Sequence, residues 1–154
     1  MSVLVRSATL EDVDALVHFN TAMALETEDR HLKGEILRAG VERVVSTPSL
    51  GRCLIATADG EAVGTLSVTQ EWSDWRCGFF WWIQSVFVQP EIRGRGVFKA
   101  LYRTIENEAR SDPEVCGLRL YVERENARAQ RAYAHLGMQE TAYRIYEVEF
   151  EAAP

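Results

Sequence analysis

The sequence predicts a single mixed α/β domain with the element order βαα-βββ-αβ-αβ. Apolar residues keep helical spacing in the first third of the chain, and strand-favouring stretches then alternate with helical ones. The chain has 154 residues, of which 47% are hydrophobic and 26% charged. This is the length and composition of one ordinary globular domain, so we expect one domain over residues 1–154.

The first elements are a short strand and two helices. Val3 to Arg6 predicts the strand, and Thr9 predicts the N-cap of the first helix, because acidic residues follow it where the helix dipole favours negative charge. A second helix is expected over Glu35 to Val45, before Pro48. The apolar residues of the first helix keep helical spacing: Leu10, Val13, Leu16, Val17 and Met23.

Three strands are predicted next. Arg52 to Ala58 and Ala62 to Thr69 favour strands, and the Asp-Gly pair between them favours a hairpin turn. Phe79 to Val88 is apolar on both faces, which indicates a strand inside the sheet, and Pro90 ends it.

Two further helix–strand pairs complete the prediction. A helix is expected over Val97 to Arg110 and a strand over Gly117 to Val122. A second helix over Asn126 to Leu136 is closed by Gly137. Apolar residues alternate from Tyr143 to Phe150, which predicts a final strand.

Charge and composition exclude several classes of protein. The net charge of −6 argues against a general nucleic-acid binder, which must neutralise phosphates. No apolar run approaches the ~18 residues that cross a bilayer, and the first residues do not resemble a signal peptide, so we expect a cytoplasmic protein. The three cysteines and three histidines lack metal-ligand spacing, and no metal is predicted.

A basic, glycine-rich turn joins the apolar strand to the helix that follows. Between Arg93 and Arg110 there are five basic and two acidic residues, a local charge of +3. Glycines such as Gly94 and Gly96 let an anion approach the backbone, and the N–H groups of a helix start bind phosphate. The segment therefore favours a small polyanionic ligand, although glycines that merely shape a turn are an alternative.

Two familiar phosphate loops do not fit this segment. A Walker loop needs Gly-Lys-Ser/Thr, but Lys99 lies between Phe98 and Ala100. A dinucleotide fingerprint needs a third glycine at the position of Lys99.

Two motifs, however, resemble those of the GNAT N-acetyltransferase superfamily. The pattern Val-x-Val-x-Pro-x-x-Arg-Gly-x-Gly, from Val86 to Gly96, resembles its acyl-CoA-binding signature, Arg/Gln-x-x-Gly-x-Gly/Ala. A second motif, in residues 120–138, is similar to the family's strand, Asn-headed helix, tyrosine and Gly-Phe ending. It consists of Leu-Tyr-Val followed by Asn126, Ala129, Tyr133 and Gly137-Met138. The resemblance implies a mixed, mostly antiparallel central sheet flanked by helices.

The resemblance also implies acetyl-CoA as co-substrate. The backbone of Val86, Phe87 and Val88 would pair with the pantetheine arm. Arg93, Arg95 or Lys99 would add charge beside the pyrophosphate. Phe98 replaces a small residue of the family pattern, and packing of its ring in the core is the alternative role. The N–H groups that would hold the pyrophosphate belong to Gly94, Arg95, Gly96, Val97, Phe98 and Lys99.

Two residues of the second motif have implied roles. Asn126 would contact the pantetheine arm, but asparagine is also a favoured helix N-cap. Tyr133 matches the residue that protonates the departing CoA thiolate, and the step is plausible because a thiol and a phenol differ by about 1.5 pKa units. Core packing of the ring is the alternative for Tyr133.

The resemblance does not identify the general base, because Tyr121 occupies the position where some relatives carry a glutamate. Residues 10–30 contain six acidic residues and one basic residue, and among these we expect Glu26 or Glu28 to accept the amine's proton. A solvated acidic surface and water-mediated deprotonation are alternatives. The other candidates are Asp29, Glu71 and Asp74.

Seven of the chain's fifteen aromatic residues surround the apolar strand. Rings beside carboxylates attract ammonium groups, so Trp72, Asp74 and Trp75 are predicted to bind a cationic amine acceptor. For Trp81 and Trp82, sheet core or a homodimer surface is the better interpretation.

The predicted function is acetyl transfer from acetyl-CoA to the primary amine of a small molecule, by direct attack. One alternative is a catalytically inactive CoA-binding regulatory or interaction module. Another is an unrelated nucleotide-binding domain, which the two failed loop patterns disfavour.

Overall fold

The computed structural model describes residues 1–151, which form two compact units, Met1–Tyr121 and a second unit that begins at Val122. Short 3-10 turns cover Leu10–Asp12 and Pro90–Ile92. The helices are α1 (Val13–Glu28), α2 (Gly34–Ser46), α3 (Val97–Ser111) and α4 (Ala127–His135). The strands are β1 (Val3–Ser7), β2 (Arg52–Ala58), β3 (Glu61–Ser73), β4 (Gly78–Val88) and β5 (Val115–Arg119).

Within residues 1–151 the strands form one five-stranded sheet in the order β1-β2-β3-β4-β5. All neighbours are antiparallel except β4 and β5, which are parallel because α3 connects them. The predicted β2–β3 hairpin turn is confirmed: Asp59 and Gly60 both have positive φ, 52° and 83°. The mixed, mostly antiparallel sheet flanked by helices is therefore confirmed.

Helices cover the sheet of the first unit. Cys53 and Ile55 of β2 pack with residues of α1 and α2. Successive strand residues point to opposite faces, so Leu54 faces the other way, and α3 contacts the sheet through buried residues such as Leu101 and Ile105. Of the apolar positions predicted for the first helix, Val13 and Leu16 lie in the core, whereas Leu10 is 60% exposed.

A β-bulge interrupts the pairing of β3 with β4. Thr65 pairs with Phe87, whereas Ser67 pairs with Gln84, so β4 carries one extra residue at this point. The bulge includes Ser85, whose φ of 51° is unusual for a residue other than glycine. Since β5 pairs with β4 only over residues 79–82, the last residues of β4 have no described strand beside them on that edge.

The predicted final strand, Tyr143 to Phe150, is wrong for the described chain. Residues 122–151 contain no strand, and five large side chains of the tail are at least 63% exposed. Alternating apolar residues express strand propensity, but a strand also requires a hydrogen-bonded neighbour, which the segment lacks. The five are Tyr143, Ile145, Tyr146, Val148 and Phe150.

The strand predicted at Gly117 to Val122 is displaced, because its ladder with β4 runs from Val115 to Arg119. Among the described helices, none is long and apolar enough to span a membrane.

Candidate active site

The glycine-rich turn follows β4 directly and leads into α3. Gly94 and Gly96 have φ of 80° and 86°, left-handed conformations that glycine adopts at least cost. A Cβ placed on either residue would meet no atom within 4 Å, so the space beside this backbone is open. An anion can therefore approach the turn closely.

The start of α3 supplies donors to the same space. The first bond of the helix is from the Ala100 N–H to the Gly96 carbonyl, at 3.0 Å, and the N–H groups of the first turn have no carbonyl a turn earlier. Val97, which is 1% exposed, anchors this turn in the core. Arg95 and Lys99 are exposed and form no ion pair with any residue from 1 to 151. These features fit a diphosphate.

Arg93, by contrast, forms hydrogen bonds with other residues of the chain. Its Nε donates to the Val88 carbonyl at 2.9 Å, and its two terminal nitrogens donate to the Glu26 carboxylate at 2.6 and 2.9 Å. The guanidinium also lies 5.5 Å from the ring centre of Phe87. Hydrogen bonding to Glu26 raises the pKa of Arg93 above its usual value. Arg93 thus joins the end of β4 to the last turn of α1.

The two carboxylates predicted as general base differ in their surroundings. Glu26 is engaged with Arg93, and its side chain is 44% exposed. Glu28 is exposed at the last position of α1, and it forms no ion pair within the described chain. The helix then ends at Asp29, which has a left-handed φ of 49°.

The predicted acyl-binding strand segment lies at the open edge of β4. Phe87 is 6% exposed and packs on Phe19, with ring centres 5.4 Å apart. Val88 is also buried, while Val86 is half-buried. Their backbone edge can pair with an extended ligand because β5 leaves β4 after Trp82.

Phe98 lies in the first turn of α3 and is half-buried. Its ring lies beside that of Tyr102 on α3, with centres 6.1 Å apart. The bulky side chain is therefore accommodated along the helix.

The second unit carries Asn126 and Tyr133. The Asn126 side chain accepts the Ala129 N–H at 3.2 Å, which confirms the N-cap interpretation. Tyr133 lies within α4 and is half-buried. Burial raises the pKa of its hydroxyl above the usual value, so this group stays protonated at neutral pH.

The predicted acceptor residues Trp72, Asp74 and Trp75 lie at the β3–β4 hairpin. Trp75 is 84% exposed. The rings of Trp72 and Phe79 meet edge to face, with their centres 4.9 Å apart. Trp72 pairs with Phe79 of β4. Phe79 precedes Val86 by seven residues, which places the two residues about 23 Å apart along the strand. The structure does not bring this hairpin together with the open edge of β4.

A feature that the sequence did not reveal is a cavity of about 220 Å³ between the helices α1 and α2 and the sheet. It reaches β4 at Ser85, beside the open strand edge. No sequence signal marks it, because its walls come from five separate elements. The lining residues are Asn20, Leu37, Gly40, Val41, Val44, Cys53, Thr65, Ser67 and Ser85.

The open edge of β4 and the glycine turn after it are continuous, and their geometry fits an extended ligand that ends in phosphates. In the part of the chain that is described, no group of three or more His, Cys, Asp or Glu side chains converges as a metal site requires. Residues 14–138 match the model of the acetyltransferase (GNAT) family, and the chain belongs to this family, whose members use acetyl-CoA.

Solved structures agree with this assignment. A possible acetyltransferase from Clostridium difficile 630 is 38% identical and superposes with a TM-score of 0.90, covering 99% of this chain and 100% of its own. A ribosomal-protein-alanine N-acetyltransferase from Brucella melitensis biovar Abortus 2308 shares the fold at 17% identity, with a TM-score of 0.78 and coverage of 97% and 100%.

A glucosamine-6-phosphate N-acetyltransferase from Arabidopsis thaliana also shares the fold, at 18% identity, a TM-score of 0.72 and coverage of 96% and 99%. No curated protein sequence matches the chain.

Proposed function

We propose that the protein, acting as a single domain in the cytoplasm, transfers an acetyl group from acetyl-CoA to the primary amine of a small molecule. The observation that supports this most is the continuity of the open β4 edge with the glycine turn at the head of α3. An extended arm lying along the edge would place its phosphates at that turn.

Both backbone groups and side chains would bind acetyl-CoA. Val86, Phe87 and Val88 offer backbone groups to the pantetheine arm, and the amide of Asn126 adds a hydrogen bond to it. The N–H groups from Gly94 to Lys99 hold the diphosphate. Arg95 and Lys99 add positive charge there, and Arg93 fixes the turn relative to Val88.

The transfer is direct. The neutral amine attacks the thioester carbonyl, a C–N bond forms, and the C–S bond breaks. Backbone N–H groups near Val88 stabilise the negative oxygen of the intermediate. Tyr133 gives its proton to the departing thiolate, and its raised pKa keeps that proton in place at neutral pH.

The amine's proton must go to a base. We assign this role to Glu28, directly or through water, because it is exposed and without an ion pair within residues 1–151. Glu26 already accepts two hydrogen bonds from Arg93, so its carboxylate is engaged in that contact. A catalytic role for Glu26 stays a prediction.

The experiment is a turnover assay that follows free thiol during incubation with acetyl-CoA and a panel of primary amines. Amine-dependent thiol release that yields the N-acetyl product would support the proposal. Tight acetyl-CoA binding without turnover on any amine would contradict it and favour a CoA-binding regulatory module.

A further inference from the structure

We infer that the tail, residues 143–150, pairs as an edge strand with β5 of a second copy of this chain. Each copy offers one tail and one β5, so the exchange is reciprocal and closes at two chains. The assembly is independent of the proposed acetyl transfer.

The side-chain pattern of the tail is the first support. Tyr146, Val148 and Phe150 occupy alternate positions and would line one face of a strand, whereas Glu147 and Glu149 would line the other. The three apolar side chains are 94%, 76% and 89% exposed. The tail therefore has the pattern of a strand that is buried on one face, and that face is uncovered. Contiguous apolar surface of this kind marks an interaction site.

The free edge of β5 is the second support. β5 is the last strand of the sheet and pairs with β4 along one edge. Within residues 1–151 no strand lies at its other edge, where backbone N–H and C=O groups can pair with an added strand. Leu118 and Leu120 are only half-buried and Tyr121 is exposed, so apolar side chains flank this edge.

Charge favours pairing of the tail with β5 over pairing of two tails. Residues 143–151 contain three glutamates and one arginine, a net charge of −2. Residues 115–121 contain Arg119 and no acidic residue. Two tails therefore repel each other, whereas the tail and β5 carry opposite charges that orient their approach.

Aromatic side chains distinguish β5 from β1, which is the strand at the opposite edge of the sheet. The rings of Trp82 and Tyr121 lie beside β5, with their centres 5.9 Å apart. β1 contains no aromatic residue. Rings on neighbouring strands stabilise their pairing, so β5 offers Tyr146 and Phe150 ring contacts that β1 lacks.

The area available is sufficient for a dimer. An aromatic side chain buries roughly 150–250 Å², so the exposed rings of Tyr146 and Phe150 from two copies supply about 550–900 Å². The surfaces that they cover beside β5 contribute a similar area. The total approaches the ~1,200–2,000 Å² of a stable interface before Val148 and the backbone are included.

The mass of the assembly in solution tests the inference. By sedimentation the wild type should have twice the mass of one chain at micromolar concentration. Removing both rings, with Tyr146→Ser and Phe150→Ser together, should raise the dimer dissociation constant at least hundredfold. Leu4→Ser with Ile36→Ser is the matched control, because these side chains are 67% and 61% exposed but lie on β1 and α2. The control should remain a dimer, and circular dichroism verifies the fold of both variants.

Thiol cross-linking locates the contact. Cys116 is exposed on β5, whereas burial raises the pKa of the Cys53 thiol to about 11, so Cys53 should not react with bismaleimidoethane at pH 7. In a Cys77→Ser background, Val148→Cys adds a thiol to the tail. Neighbouring strands lie ~4.8 Å apart, so the reagent should join two chains into a covalent dimer. Ile145→Cys is tested in parallel, because it samples a position three residues away along the tail.

Two controls identify the thiols that react. The Cys77→Ser chain without a tail thiol should give no covalent dimer, and neither should the Val148→Cys chain that also carries Cys116→Ser. A monomeric wild type, or a dimer that persists when both tail rings are removed, would overturn the inference. So would loss of the dimer in the Leu4–Ile36 control, a tail thiol linked to Cys116 of its own chain, or no cross-link from either tail position.

Discussion

Arg93 and Glu26 form a two-point ion pair, 2.6 and 2.9 Å, between residues 67 positions apart in the chain. The pair joins the last turn of α1 to the glycine turn before α3. The Arg93 side chain is 26% exposed and that of Glu26 is 44% exposed, so solvent screens the attraction and its contribution to folding is modest. Together with the hydrogen bond from Arg93 to the Val88 carbonyl, the pair holds the glycine turn against the end of α1 and the end of β4.

Glu26→Gln should lower the free energy of unfolding by less than about 1 kcal/mol, because the pair is partly exposed. KM for acetyl-CoA should rise a few-fold as the turn loosens, with kcat nearly unchanged. Asp14→Asn, which breaks the exposed Asp14–Arg38 pair of the same helix, is the control and should leave KM unchanged. A hundredfold fall in kcat would instead make Glu26 the general base.

Gly96→Ala should weaken acetyl-CoA binding. The left-handed φ of 86° costs alanine about 1–2 kcal/mol, and the added methyl group stands in the space proposed for phosphate. Gly60→Ala is a matched control, because Gly60 has φ of 83° and similarly open surroundings in the β2–β3 turn. Both should lose similar stability in denaturant titrations, but only Gly96→Ala should raise KM. Equal KM values in the two variants would refute the phosphate role.

Tyr133→Phe should reduce kcat by about 10²–10⁴ while leaving calorimetric binding of acetyl-CoA intact, because only the proton donor is removed. Tyr121→Phe is the control, since Tyr121 is 61% exposed and its ring contact with Trp82 survives the change. The raised pKa of Tyr133 predicts that wild-type kcat does not fall between pH 7 and pH 9 through loss of this proton. A variant with wild-type kcat would remove Tyr133 from the mechanism.

Asp12 should contribute to acid sensitivity. Hydrogen bonds from Arg6, and then from the Thr9 N–H, lower the pKa of the Asp12 carboxyl. The stability it contributes is therefore present above the unfolded value of about 3.9 and is lost as pH falls through the lower folded value. Asp12→Asn should be less stable than the wild type at pH 7, and the difference should shrink below pH 4 in urea titrations. A difference independent of pH would contradict this assignment.

Trp75→Ala should leave KM for a small primary amine within twofold of the wild type, because the hairpin lies about 23 Å along β4 from Val86. Trp75 is 84% exposed, so the protein should also remain folded. A tenfold rise in KM, measured in the same thiol-release assay, would support the predicted acceptor role of this hairpin.

The sequence predicts the backbone of the glycine turn before α3 well, because the requirements of such a turn are local. Gly94 and Gly96 are needed where the backbone takes left-handed conformations, and the start of α3 follows immediately. Asn126 is predictable as an N-cap for the same reason. Each of these features depends on neighbours within a few positions.

Features that depend on contacts between residues far apart in the chain cannot be predicted from the sequence. The Glu26–Arg93 contact and the cavity arise only when separate elements pack together. The bulge at Ser85 looks like uninterrupted strand in the sequence, because register is set by the partner strand. Apolar residues alternate after Tyr143 as they do in a strand. A strand forms only where the backbone pairs with a neighbouring strand, however, and the alternation carries no information about that pairing.

Calorimetric titration of the purified protein with acetyl-CoA, with ATP and NAD as controls, tests the central claim most directly. We predict saturable binding of acetyl-CoA at one site per chain and no comparable binding of ATP or NAD. Gly96→Ala should bind acetyl-CoA more weakly than the wild type, and Gly60→Ala should not. Absence of acetyl-CoA binding by the folded wild type, or preferential binding of ATP or NAD, would contradict it.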